Sequence, residues 1–267
     1  MKAVHLTFDD GPHTNNTTSI LDLLKERQIK ATFFVLGERI KNSMGVLERM
    51  ISEGHRVGNH TYSHRNLTTL NEGDVIREIK KTEELISRCA PLDLIIRPPY
   101  GARNEIVNNI VSSLGYSTVM WNVDTEDWKR KPDGWISHGV NQIKMREKSL
   151  VLMHDIHSTT ASGLSAFIDQ INIIGAEFVD LECVTGISPP GNNTPDADAA
   201  PVSEPVKTPL FHTVATGESL SSISRKYYGS ANMWGLIYKS NSNVITNPNV
   251  IRPGMRLLIP VVNNGNP

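Results

Sequence analysis

Two adjacent carboxylates, Asp9 and Asp10, close an apolar stretch and run straight into a Gly11-Pro12 turn. Like charges side by side repel, so this spot calls for a counter-charge, which a metal ion, an arginine or solvent could supply. Further on, His60 and His64 stand four residues apart, and on one helical turn that spacing aims two imidazoles the same way. Two imidazoles and one carboxylate suit zinc and leave coordination positions open for water and substrate. One aspartate is enough for that set. The other would stand beside the water, placed to take its proton, and spacing does not say which is which.

These residues are far apart in sequence, so the fold must gather them. Apolar strands are expected at Val4–Phe8, Ala31–Leu36, Arg56–Asn59, Leu94–Ile96, Thr118–Val123, Leu150–Met153 and Glu177–Leu181. Amphipathic helices alternate with them, among them Thr17–Glu26, Val46–Ser52, a helix capped by Asn71 and running to about Arg88, Asn104–Leu114, Ile136–Met145 and Leu164–Ile174. Alternating strands and helices imply right-handed βα units on a parallel sheet, and about seven such units favour a closed or nearly closed (β/α) barrel of α/β class. In such a barrel chemistry sits where strands end. Five strand ends carry donors or titratable groups: Asp9-Asp10, His60 to His64, Arg97-Pro98-Pro99-Tyr100-Gly101, Asp124-Thr125-Glu126-Asp127-Trp128 and His154-Asp155. No Gly-x-Gly-x-x-Gly follows the first strand, so a dinucleotide fold has no support.

Composition narrows the function classes. The 267 residues are 39% hydrophobic and 21% charged, with a formal net charge of −1, which favours neither nucleic acid nor anionic membrane as a partner. No apolar run reaches the roughly 20 residues of a membrane span. Cys89 and Cys183 are too few for a disulfide framework, lack metal-ligand spacing and read as buried thiols. The texture changes at residues 188–210, rich in Pro, Ala and small polar residues, which read as an extended linker. A compact unit over 211–261 follows, expected as strand, helix, helix, strand.

The segment 1–187 resembles the NodB-type polysaccharide deacetylases, carbohydrate esterase family four. All five family motifs occur in order: Thr7-Phe8-Asp9-Asp10-Gly11-Pro12, His60-Thr61-Tyr62-Ser63-His64, Arg97-Pro98-Pro99-Tyr100-Gly101, Asp124-Thr125-Glu126-Asp127-Trp128 and Leu152-Met153-His154-Asp155. The resemblance implies that the (β/α) barrel is distorted and that Asp10, His60 and His64 hold a divalent metal, zinc foremost, with cobalt or nickel as alternatives. By the same resemblance Asp9 is the general base and Arg97 its partner. Tyr100 offers a backbone N–H to the oxyanion, and Asp127 orients His154 as general acid. Trp128 and Leu152 line a pocket for the acetyl methyl.

Residues 211–260, from His212-Thr213-Val214-Ala215 to Arg256-Leu257-Leu258-Ile259-Pro260, resemble a LysM module in a βααβ arrangement. Its groove for N-acetylglucosamine chains would form around Gly217, Glu218, Ser219 and Leu220 and the segment 243–250, with Asn247 and Pro248. Together the two resemblances imply a metal-dependent N-deacetylase for N-acetylglucosamine residues of peptidoglycan. Chitin oligomers are the alternative and acetylated xylan the next. A monomer is expected. The opening residues lack a charged segment followed by an apolar core, so no secretory signal is read there, and wall association is implied by resemblance alone.

Overall fold

The computed structural model describes residues 2–188 and 210–260, apart from 242–244, 246 and 249. Of the expected linker, residues 189–209 lie outside the described residues. The chain divides into two compact units, each described by itself below.

The larger unit is a parallel sheet wrapped by helices. In chain order it runs β1 (Lys2–Asp9), α1 (Asn16–Glu26), β2 (Ala31–Val35), α2 (Gly37–Ile40), α3 (Met44–Ser52), β3 (Arg56–Asn59), α4 (Glu72–Ser87), β4 (Ile95–Ile96) and α5 (Glu105–Ser113). Then come β5 (Ser117–Thr118), β6 (Val123–Asp124), α6 (Pro132–Lys144), β7 (Lys148–His154), α7 (Ser158–Ile173), β8 (Ala176–Phe178) and α8 (Leu181–Thr185). The strand order is β5-β4-β3-β2-β1-β7-β6, with β8 alongside the start of β1, and every pair is parallel. Among the described residues β5 and β6 do not pair, so the barrel is incomplete. β1 lies at its centre, and Val4 to Asp9 are all buried, as expected of a strand covered on both faces.

Two expected strands differ in instructive ways. Thr118–Val123 is two short strands instead, because the Arg97 guanidinium takes the carbonyls of Val119 and Met120 at 3.0 Å each. Asn122 then mimics a strand with its side chain, donating from Nδ2 to Lys148 O at 2.9 Å and accepting from Leu150 N at 2.8 Å. The last strand stops at Phe178, and Asp180 opens α8. The cysteines are not both buried: Cys89 is partly so, beside Met44, while Cys183 is exposed on α8, which packs inward through Leu181 and Val184. No helix among the described residues is long and apolar enough to cross a membrane.

The smaller unit is βααβ: β9 (Leu210–Thr213), α9 (Leu220–Tyr228), α10 (Trp234–Ser240) and β10 (Arg256–Ile259), with β9 and β10 antiparallel. Val214, Leu220, Ile223, Ile237, Ile245, Leu257 and Ile259 form its core. Asn241 ties α10 to β10, donating to Ile237 O and Leu258 O and accepting from Leu258 N at 2.7 to 2.8 Å. Ser219 caps α9 in a reciprocal box with Ser222.

Within the barrel, α4 bears on the site. Asn71 caps it, its side chain accepting from Asp74 N at 2.9 Å, and Val75, Ile79, Leu85 and Ile86 bury one face. Asn71→Ala should lower stability by about 1 kcal/mol. Reversible urea unfolding of the separate 1–188 unit, compared with wild type, measures that loss.

Candidate active site

Strand ends gather the motif residues around one cavity of about 430 Å³. It is lined by Asp9, Asp10, His60, His64, Tyr100, Trp128, Leu152 and His154, together with Trp121, Asp124 and His157. The register explains part of this convergence: Asp9 on β1 lies opposite His154 on β7. Trp128 is 56% exposed at the rim, while Leu152 is buried. Asp124 spends one oxygen on its own loop, accepting from Glu126 N at 2.9 Å. His157, outside the five motifs, lines the cavity with its ring edge-on to His154.

The two histidines do not share a helical turn. Residues 60–64 form a loop in which Thr61 and His64 have φ of 72° and 58°, in the left-handed region. That shape depends on Glu78 of α4, which the sequence reading passed over. Its buried carboxylate accepts from Tyr62 N at 3.0 Å, Ser63 N at 2.8 Å and Ser63 Oγ at 2.7 Å. A buried glutamate in a helix otherwise rich in paired surface charge was the only clue, and sequence does not show burial.

The remaining contacts set the ring nitrogens. His60 Nδ1 lies 2.6 Å from the Arg97 carbonyl, which can only accept, so Nδ1 carries the proton and Nε2 is left with its lone pair. His64 Nδ1 meets the Tyr100 hydroxyl at 3.2 Å. Burial favours the neutral form of His64, lowering its pKa against the pull of Asp10. Burial also works against the Asp10 carboxylate, but His60, His64 and His154 outweigh it and hold its pKa at about 2.

These residues fit a metal. Asp10 Oδ1 is buried with no hydrogen-bond partner, 3.3 Å from His60 Nε2 and 3.2 Å from His64 Nε2. One ligand atom from each of Asp10, His60 and His64 lies within 4.8 Å of the others. An orphaned buried oxygen facing the Nε2 atoms of two imidazoles is a ligand set lacking its ion, and borderline-soft divalent ions such as zinc suit it.

Asp9 is held differently. The Arg97 guanidinium is fully buried and donates from Nη1 to Asp9 Oδ1 and to Thr7 Oγ1, both at 2.7 Å. It also stacks on the Phe34 ring at 4.2 Å and approaches Trp121 at 5.5 Å. Asp9 Oδ2 is left facing His60 Nε2 at 3.7 Å. On β7, His154 Nδ1 meets Asp127 Oδ1 at 2.8 Å, and Asp127 Oδ2 accepts from His154 N at 2.7 Å and Thr160 Oγ1 at 2.5 Å. Burial would discharge His154, but the Asp127 hydrogen bond and charge, helped by Asp9 and Asp10, raise its pKa to about 9. Thr160 is a second residue the motif reading missed. Asp155 is fully buried, its pKa pushed up to about 7 by burial, and accepts from Thr17 Oγ1 at 2.6 Å. It fills the space beside Gly11, where an added Cβ would come within 2.0 Å of its carboxylate.

In the smaller unit a groove of about 350 Å³ is lined by Glu218, Ser219, Leu220, Ser221, Trp234, Pro248 and Ile251. Gly217 (φ 86°) and Asn247 are not among its lining residues, and 243, 244, 246 and 249 lie outside the described residues. The Glu218 carboxylate is already engaged, meeting His212 Nε2 at 2.5 Å and accepting from Ala215 N at 2.8 Å.

Comparison with known proteins agrees with both halves. Residues 1–119 match the family described as polysaccharide deacetylase, and residues 212–260 match the LysM domain. A peptidoglycan-N-acetylglucosamine deacetylase of Listeria monocytogenes is 38% identical over 186 residues, covering 69% of this chain and 39% of that protein. A chitooligosaccharide deacetylase of Sinorhizobium fredii is 36% identical over 155 residues, covering 57% of this chain and 72% of that protein. The solved structure of the peptidoglycan deacetylase PdaC from Bacillus subtilis superimposes with a TM-score of 0.64 at 34% identity, over 70% of this chain and 91% of that one. The chain belongs to the polysaccharide deacetylase family, carbohydrate esterase family four, and carries a LysM domain. It spans about two fifths of the length of the Listeria relative it matches.

With Asp10, His60 and His64 as metal ligands, Glu78→Gln should keep the fold and weaken binding of added zinc about 10-fold, the usual effect of losing a residue that orients a metal ligand. Competition titration with a zinc indicator measures it, alongside the melting temperature of the metal-free protein.

Proposed function

We propose that this chain is a metal-dependent N-deacetylase that removes acetyl groups from N-acetylglucosamine residues of peptidoglycan. The observation that carries the reading is the single cavity in which an Asp10–His60–His64 donor set adjoins an arginine-held Asp9 and an aspartate-held His154. Asp10, His60 and His64 would hold a divalent cation, zinc foremost, which when bound acidifies water and polarises the acetamide carbonyl.

The chain's own residues supply the proton traffic. Arg97 occupies Asp9 Oδ1, so Oδ2 is the oxygen that takes the proton from the attacking water. The acetamide carbonyl becomes a tetrahedral oxyanion, to which the Tyr100 backbone N–H donates. Tyr100 has φ of 60° within the short 3₁₀ turn Pro99–Gly101, where the next two amides, Gly101 N and Ala102 N, donate to Pro98 O and Pro99 O. His154 is tied to Asp127 through Nδ1, which leaves Nε2 to give its proton to the departing amine. Acetate and the free glucosamine amine are the products. Leu152 and Trp128 would face the acetyl methyl, a buried side chain and a rim side chain of the same cavity.

The LysM domain supports a wall polymer as substrate and wall association as the location, because a tethered sugar-binding module raises the effective concentration of enzyme at a polymer surface. Chitooligosaccharides are the second reading, supported by the Sinorhizobium relative. Acetate release from purified peptidoglycan beside chitotetraose, with zinc supplied, tests both, and no release from either would overturn the enzymatic reading.

Asp9→Asn should retain zinc and lose about 10²- to 10⁴-fold in kcat, the usual contribution of a general base. Asp10→Ala should instead lose zinc, so metal content and turnover separate the two roles. His154 must be charged to act as an acid, and its raised pKa keeps it so at neutral pH. Activity should therefore fall as pH rises through about 9. Asp127→Asn should move that alkaline limb to lower pH, which a kcat–pH profile reads directly.

A further inference from the structure

A second groove, of about 400 Å³, lies outside the catalytic cavity and is lined by Lys41, Met44, Tyr62, Lys81, Leu85 and Arg88, with Glu84 at its edge. Its central ring, Tyr62, is the middle residue of the loop that joins His60 to His64. Two ammonium groups converge on that ring from different elements. Lys41 Nζ, just past α2, lies 5.2 Å from the centroid, and Lys81 Nζ of α4 lies 4.9 Å from it.

The charge pattern of α4 singles out Lys81. Arg77 pairs with Asp74, Lys80 with Glu83 at 2.7 Å, and Arg88 at the helix end with Glu84 at 2.7 Å. Each of those cations has its carboxylate three or four residues away, as an exposed helix face usually arranges. Lys81 has no such partner, and neither does Lys41: among the described residues no carboxylate comes within 4.0 Å of either ammonium. Two unpaired cations held on one ring repel each other, and an anion between them removes that repulsion. The floor is not polar. Leu85 is buried and Met44 and Tyr62 are half-buried, so the groove offers apolar contact together with positive charge.

We propose that this groove is a subsite for the carboxylate-bearing peptide stem of a muramyl sugar, on the same wall strand whose N-acetylglucosamine enters the catalytic cavity. The inference rests on the proposed function and narrows it from glycan in general to stem-bearing strands. A peptide stem combines carboxylates with aliphatic side chains, matching the lysines above and the Met44–Leu85 floor below. A bare chitin chain has neither. Tyr62 links the subsite to chemistry, since it sits between the two histidine ligands in the loop that Glu78 fixes.

The test is binding and turnover by the whole 267-residue chain, zinc-loaded, with two probes of equal sugar length: a four-sugar peptidoglycan fragment carrying its peptide stems, and uncharged chitotetraose. Lys41→Ala/Lys81→Ala should weaken calorimetric binding of the stem-bearing fragment about 10-fold and raise its KM similarly. It should leave kcat, zinc content and chitotetraose binding unchanged. Wild-type affinity for the stem-bearing fragment should also fall with added salt more steeply than in the double variant. An equal change for both probes, or no change for the stem-bearing one, would overturn the subsite. Lys41→Gln/Lys81→Gln, which keeps the side-chain length, gives the same reading if the alanine pair fails to fold. Absence of acetate release by wild type would count against the deacetylase reading alone, because the binding comparison does not depend on turnover.

Discussion

Arg97 is the residue on which both halves of the proposed catalytic apparatus depend. Its guanidinium, fully buried, donates to Asp9, Thr7, Val119 and Met120, using four of its five N–H groups. Its backbone carbonyl holds His60 Nδ1, and its backbone N–H bonds Asn59 O. One residue thus orients the proposed base through its side chain and a proposed metal ligand through its main chain. A buried guanidinium is expensive to desolvate, which lowers its pKa, and the charge and hydrogen bond of Asp9 oppose that shift. The pair is therefore poor as a stabilising device and good as a positioning one: Asp9 cannot leave without stranding a charge in the core.

The adjacency of Asp9 and Asp10 has a backbone explanation. Asp10 has φ of 76°, so the chain turns sharply there: Arg97 holds Asp9 Oδ1, while Asp10 Oδ1 faces both imidazoles and Asp9 Oδ2 lies near His60 alone. Left-handed backbone at a non-glycine residue costs about 1 kcal/mol or more. Asp10, Thr61, His64, Tyr100 and Glu126 all adopt it, and every one lies in a motif loop at the strand ends. For Thr61, β-branched, the conformation is especially unfavourable. Buried partners hold these shapes. Glu78 fixes the histidine loop, and Asp155 packs against Gly11 where any side chain would collide.

Much of this was legible in the sequence because the decisive signals are local and repetitive. Apolar runs followed by polar clusters located the strands, and Asn71 marked a helix start that the structure places at the next residue. The motif residues were legible as types, since few chemistries need two histidines, paired aspartates and a strand-end arginine together. What escaped depended on tertiary partners. The helical turn assumed for His60 and His64 failed because Glu78, 18 residues after His60, supplies the bonds a helix would have made. The strand expected over Thr118–Val123 failed because Arg97 captures its carbonyls. Thr160 was invisible because a threonine near the start of a helix has many ordinary uses, and only the fold brings it to Asp127.

The proposed acid and base are arranged as opposites across one strand pair. Asp9 on β1 and His154 on β7 lie opposite each other in the parallel ladder, so their Cα positions are fixed by backbone hydrogen bonds rather than by loops. Each is then tied to a buried group of opposite charge from another strand end, Arg97 for Asp9 and Asp127 for His154. The two ion pairs are spaced by the sheet and cannot collapse onto each other without breaking it. A proton accepted at Asp9 and one given up at His154 change the charge of neighbouring positions in opposite senses. The site's total charge is therefore the same before attack and after amine departure, which limits the reorganisation demanded of the groups around it.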